Sequence, residues 1–320
     1  NQDYVPMLEC FTSATCGPCR QLNPELNPVL AELKSAGKLN VVKYQVNFPY
    51  AGDKYYISDN STRMSYYGVT SAPLLVLNGQ ERPISQGSFK PTVVVNTLRE
   101  MVEASSQGKA FFSIKVNKAE VTAEKTVELD FDVTSHLPGT QPRNMKIYAM
   151  VIEGTTYGNQ VSISEKKFHY VNMAFAAPAD GKSSYFSQER TNNYTYSVDM
   201  KNTHVEEFTD LQVMIFVQDP TDKYIYQSAG VRMGPGDLTA VEDKELAQVS
   251  IYPNPAAHMV YVAGLEKAQV EIFDLGGRRV YEKTDADGVL EVSLASFAKG
   301  AYVVRIAQKG AVASRKLVVK

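Results

Sequence analysis

The stretch ECFTSATCGPCRQLNPEL, Glu9 to Leu26, decides the fold of the first part of the chain. It contains Cys10, Cys16 and Cys19, which are the three cysteines of a 320-residue sequence. Cys16 and Cys19 form a C-G-P-C motif that follows an extended apolar run and precedes apolar residues at helical spacing. The pattern predicts a strand, a short loop, and a helix that begins at the motif.

Outward from the motif, strand and helix patterns alternate over residues 1–107. One helix is predicted from Gly17 to Ala36 by its apolar periodicity, and another where Pro91 occupies a first helical turn. Strands are predicted at YVPMLECFT, LNVVKYQVN and SAPLLVLNGQE. Such alternation is typical of an α/β domain, here with a Tyr-rich insertion at residues 47–67.

After residue 107 the periodicity changes. TVELDFDVT alternates apolar and polar residues, which predicts a strand with one buried face. About seven such strands over residues 108–233 predict an immunoglobulin-like sandwich. Residues 234–248 begin with Gly-Pro-Gly, turn acidic and predict a linker. Short strands recur over residues 249–320 and predict a small C-terminal β-sandwich.

Composition excludes several classes of function. The formal net charge of −2 argues against a nucleic-acid partner, which usually requires a basic surface. No run of ~18 apolar residues predicts a membrane-spanning helix. The first residues, NQDYVPMLECF, lack a charged-then-apolar leader, which is typical of a mature form without its signal peptide or of a cytosolic chain.

The paired cysteines favour redox chemistry, because three cysteines are too few for a disulfide scaffold. Free N–H groups at a helix N-terminus favour a thiolate. Cys16 is therefore the candidate nucleophile, and Cys19 would resolve a mixed disulfide. A stable disulfide without turnover is the alternative. One C-x-x-C supplies only two zinc ligands, and Arg20 breaks the c-type haem motif C-x-x-C-H, so no metal site is predicted.

Two motifs together resemble the active site of the thioredoxin superfamily: C-G-P-C and, about 57 residues later, the Ser71-Ala72-Pro73 entry to a strand. The resemblance implies that Pro73 is a cis-proline that presents a backbone edge to an extended substrate. The family usually has Trp where Thr15 stands and a buried, proton-handling Asp where Cys10 stands. Both departures weaken the expectation of rapid turnover.

Cys10 has two interpretations. Alternation in MLECFT puts Leu8 and Cys10 on one face of the strand, with Glu9 and Phe11 on the other. Cys10 is then a buried apolar filler, or a third redox thiol that exchanges with Cys19 or with another subunit. The second interpretation allows a homodimer.

The insertion and the C-terminus carry further resemblances. The insertion resembles that of secreted thioredoxin-like relatives of the 28-kDa outer-membrane protein family of Bacteroidetes. The tail resembles a type IX secretion C-terminal sorting domain through Ile251–Pro255, Ile272–Arg278, Gly300–Arg305 and the basic end Arg315–Lys320. This resemblance implies recognition by the type IX secretion machinery and a secreted or outer-membrane-associated cell-surface location.

The chain as a whole resembles haem-binding thioredoxin-motif surface proteins of Bacteroidetes. The resemblance implies haem as a ligand, in addition to protein thiol and disulfide substrates. Tyrosine and cysteine thiolate can both bind haem iron. Lys54 and Arg63 are available for the propionates, and Cys16 is a rival ligand. The candidate tyrosines all lie in the insertion: Tyr50, Tyr55, Tyr56, Tyr66 and Tyr67. The alternative is that these tyrosines pack the insertion against the α/β domain.

Three functions therefore remain open. The first is a secreted thiol–disulfide oxidoreductase, whose redox chemistry requires no cofactor. The second is a haem-binding surface protein in which the thioredoxin fold is mainly a scaffold. The third is an adhesive surface module with an unreactive Cys16–Cys19 disulfide.

Overall fold

The computed structural model describes residues 3–83, 89–159, 161, 165–233, 249–274, 278–308 and 311–320. The chain divides into two compact units, Asn1–Gly236 and Asp237–Lys320. The predicted linker at residues 234–248 lies outside the described residues. No helix within the described ranges is both long and apolar enough to cross a membrane.

The first unit begins with the alternation that the sequence predicts. Its helices are α1 (Gly17–Ser35), α2 (Asn60–Tyr67) and α3 (Pro91–Ser105). Its strands are β1 (Met7–Thr12), β2 (Asn40–Gln45), β3 (Leu74–Leu77), β4 (Phe112–Val121), β5 (Thr126–Ser135), β6 (Arg143–Thr156), β7 (Phe168–Phe175), β8 (Lys182–Phe186), β9 (Thr191–Asp199), β10 (Leu211–Gln218) and β11 (Ile225–Arg232). A single 3₁₀ turn, Phe208–Asp210, precedes β10.

One sheet runs through most of this unit. Its eight strands follow the order β11-β10-β6-β7-β2-β1-β3, and β8 pairs with β6. β1 is parallel to β2 and antiparallel to β3. The strands β6, β7, β8, β10 and β11 join this sheet at β2, where Lys43 lies opposite Val171 of β7 in a parallel pair. The region predicted as a separate sandwich therefore shares a sheet with the α/β part.

Three cores fix the layers of the first unit. Leu8 and Cys10 of β1 face α1 and α3, whereas Met7 and Phe11 face a cluster that includes Tyr67 of α2. The predicted alternation along β1 is thus confirmed. The third core lies between the large sheet and a three-stranded sheet of order β4-β5-β9, with Phe112 and Phe131 packed in the same cluster as Ile147, Val213 and Ile215.

The sequence did not predict β8, because Lys182-Ser183-Ser184 follows a turn-rich Ala-Asp-Gly segment. The side chains of β8 nevertheless alternate between buried and exposed positions, with Ser184 and Phe186 buried and Tyr185 exposed. Its pairing with β6 satisfies the backbone groups of this polar segment.

The second unit is described by five strands: β12 (Ser250–Tyr252), β13 (Met259–Asp274), β14 (Arg279–Ser293), β15 (Gly300–Gln308) and β16 (Ala311–Val319). They form one sheet of order β12-β13-β15-β16, with β14 paired to β13. The segments MVYVAG and AQVEIFD, predicted as two strands, are joined in β13. Where these two segments meet, register shifts near Ala263 and Ala268 interrupt the pairing of β13 with β14.

Candidate redox site

Cys16 and Cys19 form a disulfide at the start of α1, with their Cα atoms 5.2 Å apart. Cys16 is the N-cap residue, and the Cys19 N–H donates a hydrogen bond to Cys16 Sγ at 3.2 Å. Pro18 lies in the first turn, where a missing N–H costs nothing. The sulfur that would carry negative charge after reduction therefore lies at the N-terminus of α1 and accepts one of its free N–H groups.

The second motif lies against this disulfide. The Ala72–Pro73 peptide bond is cis, and the Ala72 carbonyl oxygen lies 3.3 Å from Cys16 Sγ. A reduced Cys16 thiol could donate to that carbonyl. The fold thus brings together two segments that are far apart in sequence.

The Tyr-rich insertion is bonded to the residues just before Cys16. The Thr15 hydroxyl donates to the Tyr50 carbonyl oxygen at 2.8 Å, and the Ala14 N–H donates to Asp53 Oδ2 at 2.7 Å. Cys16 is only 1% exposed, and Cys19 is 0% exposed. The insertion is therefore held next to the loop that leads into the buried disulfide.

The other side of the insertion is fixed to the loops that follow β6 and β9. The Tyr55 hydroxyl donates to Glu206 Oε1 at 2.6 Å, and Lys54 Nζ donates to the same oxygen at 2.7 Å. The Gly158 N–H donates to the Tyr55 oxygen at 2.7 Å. Burial raises the pKa of Glu206, but the bonds from Lys54 and Tyr55 outweigh it and lower the value to about 2.

A buried carboxyl group supports the segment that carries Glu206. Glu153 of β6 is 0% exposed, and its Oε1 accepts N–H bonds from Glu206 at 3.2 Å and Glu207 at 2.7 Å. Burial raises the pKa of Glu153 to about 7. A carboxyl group with a pKa near neutrality therefore supports the loop whose Glu206 side chain bonds the Tyr55 hydroxyl.

A buried ion pair attaches α2 to the large sheet. Arg63 NH2 donates to both oxygens of Glu9, at 2.8 and 2.9 Å. Arg63 is 1% exposed and Glu9 is 0% exposed. The hydroxyls of Tyr67 and Tyr44 donate to the same carboxylate at 2.6 and 3.0 Å. Arg63, which the sequence offered as a partner for haem propionates, is instead paired with the buried Glu9 carboxylate.

The five candidate tyrosines occupy different environments. Tyr50 is 72% exposed, Tyr55 is 0% exposed and Tyr67 is 8% exposed. Tyr56 and Tyr66 are half-buried. Burial, followed by the Glu9 charge, raises the pKa of Tyr67 well above its ordinary value. The structure does not gather the five hydroxyls on one exposed surface, because the buried ones bond to Glu206 and Glu9.

Cys10 lies in the core opposite a buried lysine. It pairs with Lys43 across β1 and β2, and both residues are 2% exposed. Burial raises the pKa of the Cys10 thiol to about 12, even though the Lys43 charge acts in the other direction. Burial also lowers the pKa of Lys43.

Lys43 is hydrogen-bonded to α1, which the sequence reasoning missed. Its Nζ donates to Asn23 Oδ1 at 3.1 Å and to Asn27 Oδ1 at 2.6 Å. Asn23 Nδ2 in turn donates to Glu165 Oε1 at 2.7 Å. The sequence offered two signals for this contact: a lysine inside the strand LNVVKYQVN, and an asparagine within the apolar stripe of the helix. A buried polar group requires a hydrogen-bond partner, so each of these residues indicated the need for one.

No group of three or more His, Cys, Asp or Glu side chains within the described part of the chain could hold a metal ion.

Comparison with known proteins agrees with this geometry. The sequence is 30% identical over 100 residues to thioredoxin of Haemophilus influenzae, covering 31% of this chain and 81% of that protein. The chain belongs to the thioredoxin family. The similarity supports a thioredoxin-like protein.

Two solved structures show similarity at low sequence identity. HBP35 of Porphyromonas gingivalis matches with a TM-score of 0.56 and 14% identity, covering 100% of this thioredoxin-family chain and 99% of that chain. This match shows a shared fold alone. A domain of the outer membrane lipoprotein Omp28 from the same organism covers 40% of this chain and 92% of that chain, at 16% identity. Its TM-score of 0.29 is too low to support an argument about the fold.

The C-terminus matches a protein-family model. Residues 250–320 match the family described as secretion system C-terminal sorting domain. The sorting domain predicted from the tail is thereby confirmed, and it supports a secreted thioredoxin-like protein.

Proposed function

We propose that this chain is a secreted thiol–disulfide oxidoreductase that uses the Cys16–Cys19 pair. The observation that supports the proposal best is the disulfide at the N-terminus of α1, with the Ala72 carbonyl 3.3 Å from Cys16 Sγ. Helix N–H groups stabilise a thiolate on Cys16. The backbone beside Pro73 offers an extended edge to a peptide substrate.

The reaction is a two-electron exchange. The reduced Cys16 thiolate attacks a substrate disulfide, and one substrate sulfur leaves as a thiolate. Cys19 then loses its proton to the buffer and attacks Cys16 Sγ, which releases the second substrate sulfur. The substrate gains two electrons, and the Cys16–Cys19 disulfide forms. A dithiol reductant restores the reduced pair.

Reduction of insulin disulfides in the presence of dithiothreitol tests this proposal. Cys16→Ser should remove the catalysed rate, because no nucleophile remains. Reduced Cys19→Ser, mixed with insulin after removal of dithiothreitol, should instead accumulate a mixed disulfide at Cys16, detectable by mass spectrometry. Wild-type activity in Cys16→Ser would refute the proposal. An inert wild-type pair that dithiothreitol cannot open would favour the adhesive module.

We further infer that the protein acts at the outer surface of the outer membrane, and that the β-rich part, with its immunoglobulin-like character, presents the redox unit there. The sorting domain at residues 250–320 supports export. Protease treatment of intact cells should digest the full chain while a periplasmic marker survives. Protection of the chain in intact cells would contradict this location.

Haem binding is a second proposal, supported by the exposure of Tyr50. Its side chain is 72% exposed, and its carbonyl oxygen is bonded to Thr15, next to Cys16. Bound haem would supply an iron that a tyrosine oxygen or the Cys16 thiolate could ligate. Tyr50 therefore fits as a ligand better than Tyr55 or Tyr67, whose hydroxyls are committed to carboxylates.

A haem titration followed at the Soret band tests this proposal. We expect saturable binding that Tyr50→Phe weakens. Tyr185→Phe is the matched control, because Tyr185 is 59% exposed on β8. Linear, unsaturable uptake would refute haem binding, and equal affinity in Tyr50→Phe would refute Tyr50 as the ligand.

A homodimer linked through Cys10 would require the Cys10 thiol to become exposed. Gel filtration with and without reductant tests whether such a dimer forms.

A further inference from the structure

We propose that an exposed band of side chains beside the disulfide selects substrates whose cysteine is flanked by bulky apolar residues and a carboxylate. This docking band consists of Tyr50 of the insertion and of Tyr157, Val161 and Lys167, which lie between β6 and β7. The inference rests on the proposed redox function and names the class of substrate that the Cys16–Cys19 pair would attack.

The apolar members of the docking band face solvent. Tyr50 is 72% exposed, Tyr157 is 57% exposed and Val161 is 45% exposed. A single exposed apolar residue is ordinary on a protein surface, whereas several that lie together and are bordered by charge mark an interaction site. The contacts of these three residues place them together.

Two contacts bring the segment after β6 against the insertion. Val161 Cγ1 lies 3.5 Å from the position that a Cβ atom on Gly52 would occupy. Asn159 Nδ2 donates to Asp53 Oδ1 at 2.8 Å. Gly52 and Asp53 follow Tyr50 closely in sequence, so Val161 lies next to the loop that carries Tyr50.

One carboxylate joins Tyr157 to the insertion. Glu206 Oε2 accepts the Tyr157 N–H at 2.7 Å, and Glu206 Oε1 accepts a hydrogen bond from Lys54 Nζ at 2.7 Å. The next carboxylate in sequence, Glu207, accepts hydrogen bonds from the Thr209 N–H and hydroxyl. The acidic groups beside Tyr157 are therefore already engaged within the protein.

A cation borders the docking band on each side. Lys167 is exposed, and its ammonium lies 5.8 Å from the centre of the Tyr157 ring. Arg20 is exposed on α1, and its guanidinium lies 3.9 Å from the position that a Cβ atom on Gly17 would occupy. A carboxylate in the substrate would thus meet an opposite charge, whereas a substrate lysine or arginine would be repelled.

The docking band continues into the reactive pair. The Tyr50 carbonyl oxygen accepts a hydrogen bond from the hydroxyl of Thr15, the residue before Cys16. The Ala72 carbonyl oxygen lies 3.3 Å from Cys16 Sγ on the Pro73 edge. A disulfide-bearing protein segment held at that edge can therefore place the residues that flank its cysteine on the docking band.

The test uses the reduced full-length chain and synthetic peptides that each contain one cysteine as a mixed disulfide with pyridine-4-thiol. The Cys16 thiolate attacks the peptide sulfur, and pyridine-4-thiolate leaves, takes a proton from water and absorbs as its thione. Cys19 then loses its proton to the buffer and attacks Cys16 Sγ, which releases the peptide thiolate and forms the Cys16–Cys19 disulfide. The rate constant of the first release is measured.

Three peptides differ only beside the cysteine: one carries Phe, Leu and Asp, the second Phe, Leu and Lys, and the third Ser, Gly and Asp. Each rate is divided by the rate of the same protein with 4,4′-dithiodipyridine, which has no flanking residues and no charge. The first peptide should react about fivefold faster than the other two, since it alone offers both an apolar contact and an ion pair. Its advantage over the Lys peptide should shrink in about 1 M salt.

Two variants separate charge from apolar contact. Lys167→Glu should reverse the preference between the Asp and Lys peptides, whereas Lys182→Glu, on an exposed residue of β8, should keep it. Tyr157→Ser should remove the advantage of the Phe-Leu-Asp peptide over the Ser-Gly-Asp peptide, and Tyr185→Ser should not. These controls are distant because β8 pairs with the first residues of β6, and Tyr157 follows its last residue.

Equal ratios for the three peptides with the wild type would overturn the inference. An acidic preference that survives in Lys167→Glu, or an apolar preference that survives in Tyr157→Ser, would do the same. If a variant does not fold, the ranking of the peptides by the wild type and its response to salt decide. A reduced wild type that does not react with 4,4′-dithiodipyridine would refute the proposed redox function, whereas a normal reaction with equal peptide ratios refutes only the docking band.

Discussion

Asp53 Oδ2 accepts a hydrogen bond from the Ala14 backbone N–H at 2.7 Å, two residues before Cys16. Asp53 Oδ1 accepts from the Tyr55 N–H at 3.0 Å and from Asn159 Nδ2 at 2.8 Å. One carboxylate therefore ties the loop before the disulfide to the insertion and to the segment after β6. The Asp53 carboxylate is the acceptor in all three of these hydrogen bonds.

Asp53→Asn should loosen the loop before Cys16, because an amide presents N–H groups where the carboxylate accepts. After reduction, we expect iodoacetamide to alkylate Cys16 several-fold faster than in the wild type. Asp59→Asn is the matched control, since Asp59 is exposed and its side chain makes no capping bond to α2. Equal alkylation rates in all three proteins would show that the insertion does not restrict Cys16.

Cys10 should be unreactive in the folded protein, because it is 2% exposed and its pKa is raised to about 12. The oxidised native protein should show no thiol with 5,5′-dithiobis(2-nitrobenzoate). In guanidinium chloride one thiol should appear, since Cys16 and Cys19 remain paired. Rapid reaction of one thiol in the native protein would instead support Cys10 as an accessible redox group.

Arg63→Met should be strongly destabilising, because it leaves the Glu9 carboxylate buried without its cation. Breaking a buried pair from one side costs about 3–5 kcal/mol of unfolding free energy. Arg99→Met removes an exposed partner of Glu32 and should cost no more than about 1 kcal/mol. Urea denaturation measures both. Similar small losses would mean that the tyrosine hydroxyls alone sustain Glu9.

Glu153 should make stability depend on pH, because burial raises its pKa from 4.5 to about 7. Between these values the folded protein retains a proton that the unfolded chain has released, so stability falls as pH rises through this window. The fall should be roughly 3 kcal/mol. Above pH 7 both states are ionised and this contribution stays lost.

Glu153→Gln should remove most of that dependence, because its Oε1 can still accept the Glu206 and Glu207 N–H groups. Urea denaturation at intervals from pH 4.5 to 8 measures the effect. Glu124→Gln changes an exposed residue and should follow the wild-type profile. A profile for Glu153→Gln that parallels the wild type would assign the titration to another group.

Local patterns predicted the elements that carry the chemistry. The helical spacing from Gly17 gave a helix that the structure ends at Ser35. The alternation in MLECFT placed Cys10 on the same face as Leu8, and the structure packs that face against α1 and α3. These features follow from near neighbours in sequence, since the periods of helix and strand depend on only a few residues.

The sharing of one sheet by both predicted domains was not predictable in this way. It depends on the pairing of β2 with β7 at Lys43 and Val171, which are more than a hundred residues apart in sequence. Period-two alternation shows that a strand has one buried face, but it does not identify the neighbouring strand.

The sequence by itself determined the paired cysteines at a helix start, the Ser-Ala-Pro segment and the sorting tail, because each is a contiguous pattern. The tertiary structure decided what surrounds them: Asp53 on Ala14, Arg63 on Glu9, and Glu165 joined to Lys43 through Asn23. Hydrogen bonds and buried charges act over a few ångströms in space, and only the folded chain brings residues 9, 63 and 165 within that distance of their partners.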